Sequence, residues 1–369
     1  MTDKEYMKKA IELAKKGYGF VNPNPVVGAV VVKNGNIIGT GYHEKIGGLH
    51  AERNALLNCT EDPQGADLYV TLEPCCHYGR TPPCTEIIIE RKIKRVFVGS
   101  DDPNQLVAGK GIEILKNNGI EVVPHILKDE CDSLNEIFMH YITTGLPFVT
   151  LKYAMTMDGK IAAYTGRSKW ITGDKTRMYA MGERLRHSCV MVGSGTVLAD
   201  DPMLNYRLPN GRDPIRIICD SGLRIPIDSK IVSSANSIQT IVAADIDNKG
   251  SEKTEELKNK GCEIIFLDKK DGHIDLLQLM KILGERKIDS ILCEGGGELG
   301  YSLLKCGAVS KIQAYIAPKI LGGKSAPSPV GGLGADSPDS AVQLYDTRIK
   351  TIGDDILLES RVKNVYGYN

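Results

Sequence analysis

The sequence has no surplus charge of either sign: 46 Lys and Arg stand against 46 Asp and Glu. A chain that grips nucleic acid through its phosphates usually carries an excess of positive charge. A nucleic-acid partner is therefore not expected, and a small-molecule substrate is. No apolar run approaches the roughly 20 residues that a membrane span needs, so no membrane association is expected either. The first residues, Met1 to Lys16, lack the apolar core and small-residue cleavage site of a secretion signal. They read instead as an amphipathic helix with Tyr6, Ala10, Leu13 and Ala14 on one face. The ten cysteines are scattered rather than set as a disulfide framework, which fits reduced thiols, a cytoplasmic location and one metal site. Internal repeats and low-complexity tracts are missing too.

What is present divides in two. A chain of 369 residues exceeds one ordinary core, and about two domains are expected. Val26 to Val32 and Ile37 to Gly41 flank Asn34-Gly35, a type I′ hairpin signal. Helices are expected at Ala51 to Asn58, Thr85 to Lys92, Ile112 to Asn117 and Lys128 to Thr143. Strands are expected at Leu68 to Leu72, Arg95 to Gly99 and Glu121 to Pro124. Gly145 and Pro147 close this half and place a boundary near residue 145, giving domains 1–145 and 146–369. The second half alternates again, from Phe148 to Ala154 through Ser290 to Cys293, with helices between buried-strand runs. That pattern predicts a mostly parallel sheet. Gln313 to Ile316 and Asp355 to Leu358 have no helix between them and are expected to add antiparallel edge strands.

The chemistry concentrates near the N-terminus. His50-Ala51-Glu52 is followed by Glu73-Pro74-Cys75-Cys76 and then Cys84. One imidazole and two thiolates hold zinc and leave a fourth position for water, whose pKa falls to about 7 in such sites. Glu52, two residues after His50, suits the proton shuttle of a hydrolytic deaminase. Cys75 and Cys84 are nine apart, wider than the short Pro-Cys-x-x-Cys signature, so Cys76 and His77 are rival ligands on spacing alone. A closed structural zinc site would give Glu52 no reason to sit so near His50.

The run Tyr69-Val-Thr-Leu-Glu-Pro-Cys-Cys-His-Tyr-Gly-Arg-Thr-Pro-Pro-Cys84, with His50-Ala-Glu52, Asn22-Pro-Asn-Pro-Val-Val-Gly28 and Asp102-Pro-Asn104, closely resembles the bifunctional deaminase/reductases of bacterial riboflavin biosynthesis. The resemblance covers essentially the whole chain, and the nine-residue step between cysteines is a feature of that family. It implies a cytidine-deaminase-like α/β/α sandwich followed by a dihydrofolate-reductase-like α/β domain. It also implies hydrolytic removal of the 2-amino group of 2,5-diamino-6-ribosylamino-4(3H)-pyrimidinone 5′-phosphate. NADPH-dependent reduction of the ribosyl group to ribityl follows. By the resemblance His50, Cys75 and Cys84 hold zinc, Glu52 shuttles the proton, and Asn24, His43, His77 and Arg80 contact the pyrimidine or its phosphate. A homo-oligomer, dimer or tetramer, is implied as well. Cys76 departs from a common Ser and Gln105 from a common Pro.

In the second half, Glu294-Gly295-Gly296-Gly297-Glu298-Leu299 follows a strand and opens a helix, a geometry that lets backbone N–H groups approach a diphosphate. It is not the six-residue dinucleotide fingerprint, so on its own it also fits a tight turn. The resemblance implies NADPH contacts at Ala154, Trp170, Thr196, Asp200, Ser221, Gly296, Gly297, Glu298, Leu299, Gly300, Tyr301 and Ser302. It implies substrate contacts at Ser168, Arg184, Leu204, Arg207 and Glu294. Lys152 suits the ribose or phosphate of the substrate, and on sequence alone it equally fits a strand-end lysine. Trp170 is the only tryptophan, and by itself it equally fits a core or rim aromatic. Arg186 rivals Arg184 by register. Two other readings predict different observables. A nucleoside or tRNA deaminase with an unrelated second domain would not oxidise NADPH. A non-catalytic zinc module would fill the fourth metal position with a side chain.

Overall fold

In the computed structural model, which describes residues 1–79, 81–270 and 272–367, the chain divides by its contacts into two units, Met1–Gly145 and Leu146–Asn369. The first opens with α1 (Asp3–Ala14), started by a capping box between Thr2 and Glu5, which satisfies two otherwise orphaned N–H groups. Asn34 and Gly35 both take positive φ, 50° and 81°, and join β1 (Gly28–Lys33) to β2 (Asn36–Tyr42) as the turn signal predicts. There follow α2 (Ala51–Leu57), β3 (Asp67–Leu72), α3 (Cys84–Glu90), β4 (Arg95–Ser100), α4 (Lys110–Asn117), β5 (Glu121–Val123), α5 (Lys128–Leu134) and α6 (Glu136–Thr144). The sheet order is β2-β1-β3-β4-β5. β1 pairs antiparallel with β2 and β3, whereas β3, β4 and β5 run parallel.

Alternation along β1 builds two cores. Ala29 and Val31 join Ala55, Leu68, Ile88 and Leu115 on the face covered by α2, α3 and α4. Val30 and Val32 join Tyr6, Met7, Ala10, Cys131 and Leu134 on the face covered by α1 and α5. A sheet buried on both faces by helices is a three-layer α/β/α sandwich.

One helix over 128–143 is expected from the sequence; the chain forms two. Asn135 breaks the run because its side chain is needed elsewhere. The Val26 N–H donates to Asn135 Oδ1 at 2.9 Å, and Asn135 Nδ2 donates to Val26 O at 3.0 Å. An Asn clamped on a distant backbone no longer serves helical continuity.

The second unit runs β6 (Phe148–Thr156), α7 (Asp174–Arg186), β7 (Cys189–Gly193), α8 (Ser194–Asp200), β8 (Ile215–Cys219), α9 (Lys230–Ser233), β9 (Thr240–Asp245), α10 (Glu252–Asn259) and β10 (Glu263–Leu267). It continues with β11 (Lys269–Lys270), β12 (His273–Ile274), α11 (Leu276–Glu285), β13 (Ser290–Cys293), α12 (Gly297–Lys305), β14 (Val309–Ala317), β15 (Leu344–Ile352) and β16 (Asp355–Val362). Its main sheet has the order β10-β9-β8-β7-β13-β6-β14-β16-β15. Met191 and Ile217 face the core under α11 and α12. Val190, Val192 and Ile218 face the core under α9 and α10.

The expectation for the C-terminal strands needs correction. β14 lies parallel to β6, and only β16 and β15 are antiparallel additions. Because β14 pairs on both sides, it is an interior strand. β15 has no sequence signature, since nearly every residue on it is exposed and no apolar alternation marks it.

Asn135→Leu removes the partners of both the Val26 N–H and the Val26 carbonyl. The expected loss is about 2–4 kcal/mol, read as a lower urea midpoint at unchanged slope for the transition of this unit. An unaltered midpoint would show that the clamp carries no stability.

Candidate active sites

His50 is the N-cap of α2, Cys84 is the first residue of α3, and Cys75 lies just past the end of β3. Three segments distant in sequence thus deliver one donor each. Cys75 Sγ stands 3.4 Å and Cys84 Sγ 3.5 Å from His50 Nδ1. Tetrahedral zinc, with Zn–N of about 2.05 Å and Zn–S of about 2.3 Å, would separate such donors by roughly 3.6 Å. The donor set and spacing therefore fit zinc. Among the described residues the group that could close on one ion is His50, Cys75 and Cys84. Cys76 and His77 fall outside it. The Cys76 thiol points to Leu106 O at 3.6 Å instead.

The Cys84 N–H donates to Cys75 Sγ at 3.3 Å. The neighbouring Cys84 thiol and His50 draw the Cys75 thiol down against its burial, while Cys75, burial and Glu52 push the Cys84 thiol up. Zinc held here would favour both sulfurs as thiolates. Glu52 is buried, 3% exposed, and lies outside the ligand group. Burial, then the Cys75 thiolate, pushes its carboxyl up to about 7, against His50 and a hydrogen bond with Cys84. A carboxyl that exchanges protons near neutrality suits general acid–base work. His43 is buried, with its ring centroid 5.3 Å from that of His50. His43 Nε2 and His77 Nδ1 are buried without a hydrogen-bond partner in the protein, as expected of groups that await a polar ligand. Asn24 is exposed in the loop before β1, where its N–H donates to Val21 O. Arg80 lies outside the described residues.

Sequence reasoning missed the residues that seat this site. A Cβ on Gly41 would stand 2.3 Å from Ala55 N and 2.5 Å from Ala51 O, and one on Gly39 would stand 2.3 Å from Ala55 O. Only glycine lets α2 lie directly on β2. Arg53 donates to Pro82 O at 3.1 Å and Pro83 O at 2.9 Å, and so ties the loop before Cys84 to the helix that carries Glu52. The Glu73 carboxylate accepts from Gly109 N at 3.0 Å and Ile112 N at 3.2 Å, and anchors the strand end before Cys75 on the start of α4. Glycines in a strand and an acid next to a motif carry no distinguishing pattern of their own.

In residues 146–369 a cleft of about 1420 Å³ opens at the C-terminal ends of the parallel strands. Its wall includes Lys152, Ala154, Ser168, Trp170, Arg184 and Thr196. It also includes Asp200, Leu204, Arg207, Ser221 and Glu294, with Gly296, Gly297, Glu298, Leu299 and Ser302 at the glycine loop. Gly300 and Tyr301 are not on the wall. Gly300 packs on Leu151, and the Tyr301 ring covers Gly332 while its hydroxyl donates to Gly334 O at 3.4 Å. Between Arg184 and Arg186, the cleft takes Arg184. Arg184 Nε and Nη2 fork onto Glu294 at 2.7 and 2.9 Å, and Nη1 donates to Asn205 O at 2.7 Å. Burial pushes the Glu294 carboxyl up, but Arg184, with Lys152 and Arg207, holds it at about 2. Ser168 donates to Asp200 at 3.3 Å, and the Arg177 guanidinium lies 4.4 Å over the Trp170 ring.

Comparison with known proteins agrees with both halves. Residues 147–358 match the family model of the RibD C-terminal domain. Residues 1–100 match that of the cytidine and deoxycytidylate deaminase zinc-binding region. The chain is 53% identical over 359 residues to the riboflavin biosynthesis protein RibD of Actinobacillus pleuropneumoniae, covering 97% of this chain and 95% of that one. It is 45% identical to the RibD protein of Aquifex aeolicus, over 96% and 97% of the two chains. Among solved structures, a diaminohydroxyphosphoribosylaminopyrimidine deaminase/5-amino-6-(5-phosphoribosylamino)uracil reductase of Thermotoga maritima superposes with a TM-score of 0.85 at 40% identity, over 98% of each chain. RibD of Acinetobacter baumannii gives 0.84 at 37% identity, over 98% and 99%.

Two outcomes test these arrangements. Gly41→Ala should lift α2 and weaken zinc binding on the order of 10- to 100-fold, read by competition with a chromogenic chelator; an unchanged affinity would mean that the close seating is not needed. Glu294→Gln leaves Arg184 buried and uncompensated, and the expected loss is about 3–5 kcal/mol in urea unfolding of this unit. The native carboxyl lies below its ordinary 4.5. The pair's contribution is therefore complete at neutral pH and fades only as pH falls from about 4.5 toward 2.

Proposed function

The chain belongs to the RibD family of riboflavin biosynthesis proteins, and from that membership we propose that residues 1–145 carry its deaminase and residues 146–369 its reductase. The protein is a bifunctional enzyme that uses zinc and NADPH. Its first reaction is hydrolytic removal of the 2-amino group of 2,5-diamino-6-ribosylamino-4(3H)-pyrimidinone 5′-phosphate. Its second reduces the ribosyl side chain to ribityl and yields 5-amino-6-ribitylamino-uracil 5′-phosphate.

His50, Cys75 and Cys84 would hold the zinc, both sulfurs as thiolates. Zinc so held supplies the Lewis acidity that makes water a nucleophile near neutral pH. Glu52 takes the proton of the attacking water on its carboxylate and returns it to the amine leaving C2 of the pyrimidine. The unpartnered ring nitrogens of His43 and His77 hydrogen-bond the pyrimidine, and Asn24 and Arg80 complete the grip on the base or its phosphate. The observation that carries this reading is a buried carboxylate in contact with a ligand sulfur yet outside the ligand set.

In the reductase half the glycine loop and the first N–H groups of α12 receive the diphosphate of NADPH. Ala154, Trp170, Thr196, Asp200, Ser221, Glu298, Leu299 and Ser302 line the rest of its path, and Gly300 and Tyr301 act from behind the wall. NADPH bound here would supply the hydride that C1′ accepts once the glycosylamine ring is open, with a proton taken up at the attached nitrogen. Arg184 and Glu294 neutralise each other, so Lys152 and Arg207 carry the net positive charge for the substrate phosphate, with Ser168 and Leu204 beside them. The chain's share is to align the two carbons and exclude water.

Ten free cysteines support a reducing, cytoplasmic setting. No helix among the described residues is long and apolar enough to cross a membrane. The partner is a small phosphorylated pyrimidine rather than nucleic acid. The enzyme forms a homo-oligomer, dimer or tetramer, a reading supported by the long exposed edge strand β15 with Tyr345 and Ile349 outward.

Glu52→Gln should keep zinc and NADPH oxidation on the deaminated substrate while deamination falls on the order of 10²- to 10⁴-fold. Feeding the diaminopyrimidine phosphate and following both products by mass reads each half separately. Deamination within a few-fold of the parent would overturn the role of Glu52.

A further inference from the structure

NADPH differs from NADH by one phosphate on the adenosine ribose. That group carries nearly two negative charges and calls for a cation with free N–H groups. Sheet order indicates where in the cleft it lies. The glycine loop follows β13, with β6 on one side and β7 then β8 on the other. The β6 side gathers Lys152, Arg184 and Arg207 around Glu294, the surroundings of the phosphorylated substrate. With the diphosphate on the glycine loop between them, the adenosine half runs the other way, over the ends of β7 and β8.

Contacts mark that path. A Cβ on Gly296 would stand 3.6 Å from Thr196 Oγ1. On the same short helix, Ser194 Oγ accepts a hydrogen bond from Arg224 Nη2 at 2.7 Å. Ser221 lies between the end of β8 and Arg224, and both residues line the cleft. Arg224 Nε stands 3.7 Å from Oδ1 of Asp220, a fully buried carboxylate oxygen with no hydrogen-bond partner. Ser194 and Asp220 thus aim the guanidinium from behind. The remaining N–H groups of its fork have no partner among the described residues, and the side chain is 66% exposed. Of the other cleft cations, Lys169 adjoins Trp170, and Arg177 is paired with Asp174 over the Trp170 ring. Lys230 is held by Asp201 at 3.3 Å, Lys305 ends α12, away from the glycine loop, and Lys270 sits on the β11–β12 hairpin, beyond β9.

We propose that Arg224, aimed by Ser194 and Asp220 and flanked by Ser221, binds the 2′-phosphate of NADPH and sets the enzyme's preference for NADPH over NADH. This assignment rests on the reading of the cleft as the NADPH site. An Arg near the adenosine ribose is the solution that dinucleotide folds use for the same discrimination.

The test uses the full-length enzyme with the deaminated substrate. In Arg224→Ala, KM for NADPH should rise about 30-fold or more. The kcat/KM for NADH should change by no more than about threefold, and the affinity of the cofactor-free enzyme for adenosine 2′,5′-bisphosphate, read by calorimetry without turnover, should weaken in parallel with the NADPH effect. Arg224→Lys keeps the charge without the fork and should fall between. An unchanged NADPH-to-NADH ratio in both variants, an equal loss with both cofactors, or the same shift produced by Lys270→Ala instead would overturn the proposal. Gly296→Val tests the cleft itself. If it spares NADPH turnover, the cleft reading fails; if it abolishes turnover with both cofactors while Arg224→Ala leaves the ratio alone, only Arg224 is misassigned.

Discussion

The deaminase half depends on a backbone-to-backbone contact: α2 lies on β2 with no side chain between them. Gly39 and Gly41 create that contact, and it fixes where His50 and Glu52 can stand. Everything chemical in the unit is then a matter of bringing two sulfurs to that imidazole. β3 ends at the right height because Glu73 is bound to backbone N–H groups around the start of α4. α3 starts at the right place because Arg53 holds the carbonyls of Pro82 and Pro83. The metal set is thus over-determined by neighbours that never touch the metal, which is how a rigid scaffold holds ligands within a few tenths of an ångström.

The same economy appears in the reductase half on a larger scale. A parallel sheet places every βα loop of the unit at one edge, and a glycine loop near its middle is the natural seat for a diphosphate. The cations then fall on either side of that loop. On the β6 side, Arg184 is neutralised by Glu294 and acts as a rigid wall, leaving Lys152 and Arg207 as the net positive charge there. On the β8 side, Arg224 leans on a serine hydroxyl and on a carboxylate too distant to hydrogen-bond it. Charge that is already paired shapes a pocket; charge left partly unpaired reads a ligand.

Much of the fold was legible in advance. Asn34-Gly35 and the apolar runs located the hairpin and most strands. The failures share a cause. Asn135 interrupts a helical pattern because its amide is clamped to Val26, a partner 109 residues away. β14 is interior, and not an edge, because it pairs with β6 as well as β16. β15 exposes both faces, so no alternation announces it. α8 spans only seven residues that include Gly195 and Thr196, too short for a period to register.

The sequence alone determined the reaction class, because zinc chemistry needs particular atoms: one imidazole, two thiolates and a carboxylate two residues from the imidazole. It also located the glycine loop, since only that residue lets backbone approach a diphosphate. Tertiary structure alone decided that His50 turns Nδ1 toward both sulfurs, that Cys76 and His77 stand outside the donor group, and that Arg184 rather than Arg186 reaches the cleft. It alone joined Arg224 to Ser194 and Arg53 to the loop before Cys84. Residue type fixes what an atom can do, whereas direction and distance emerge only when segments far apart in the chain are packed against one another.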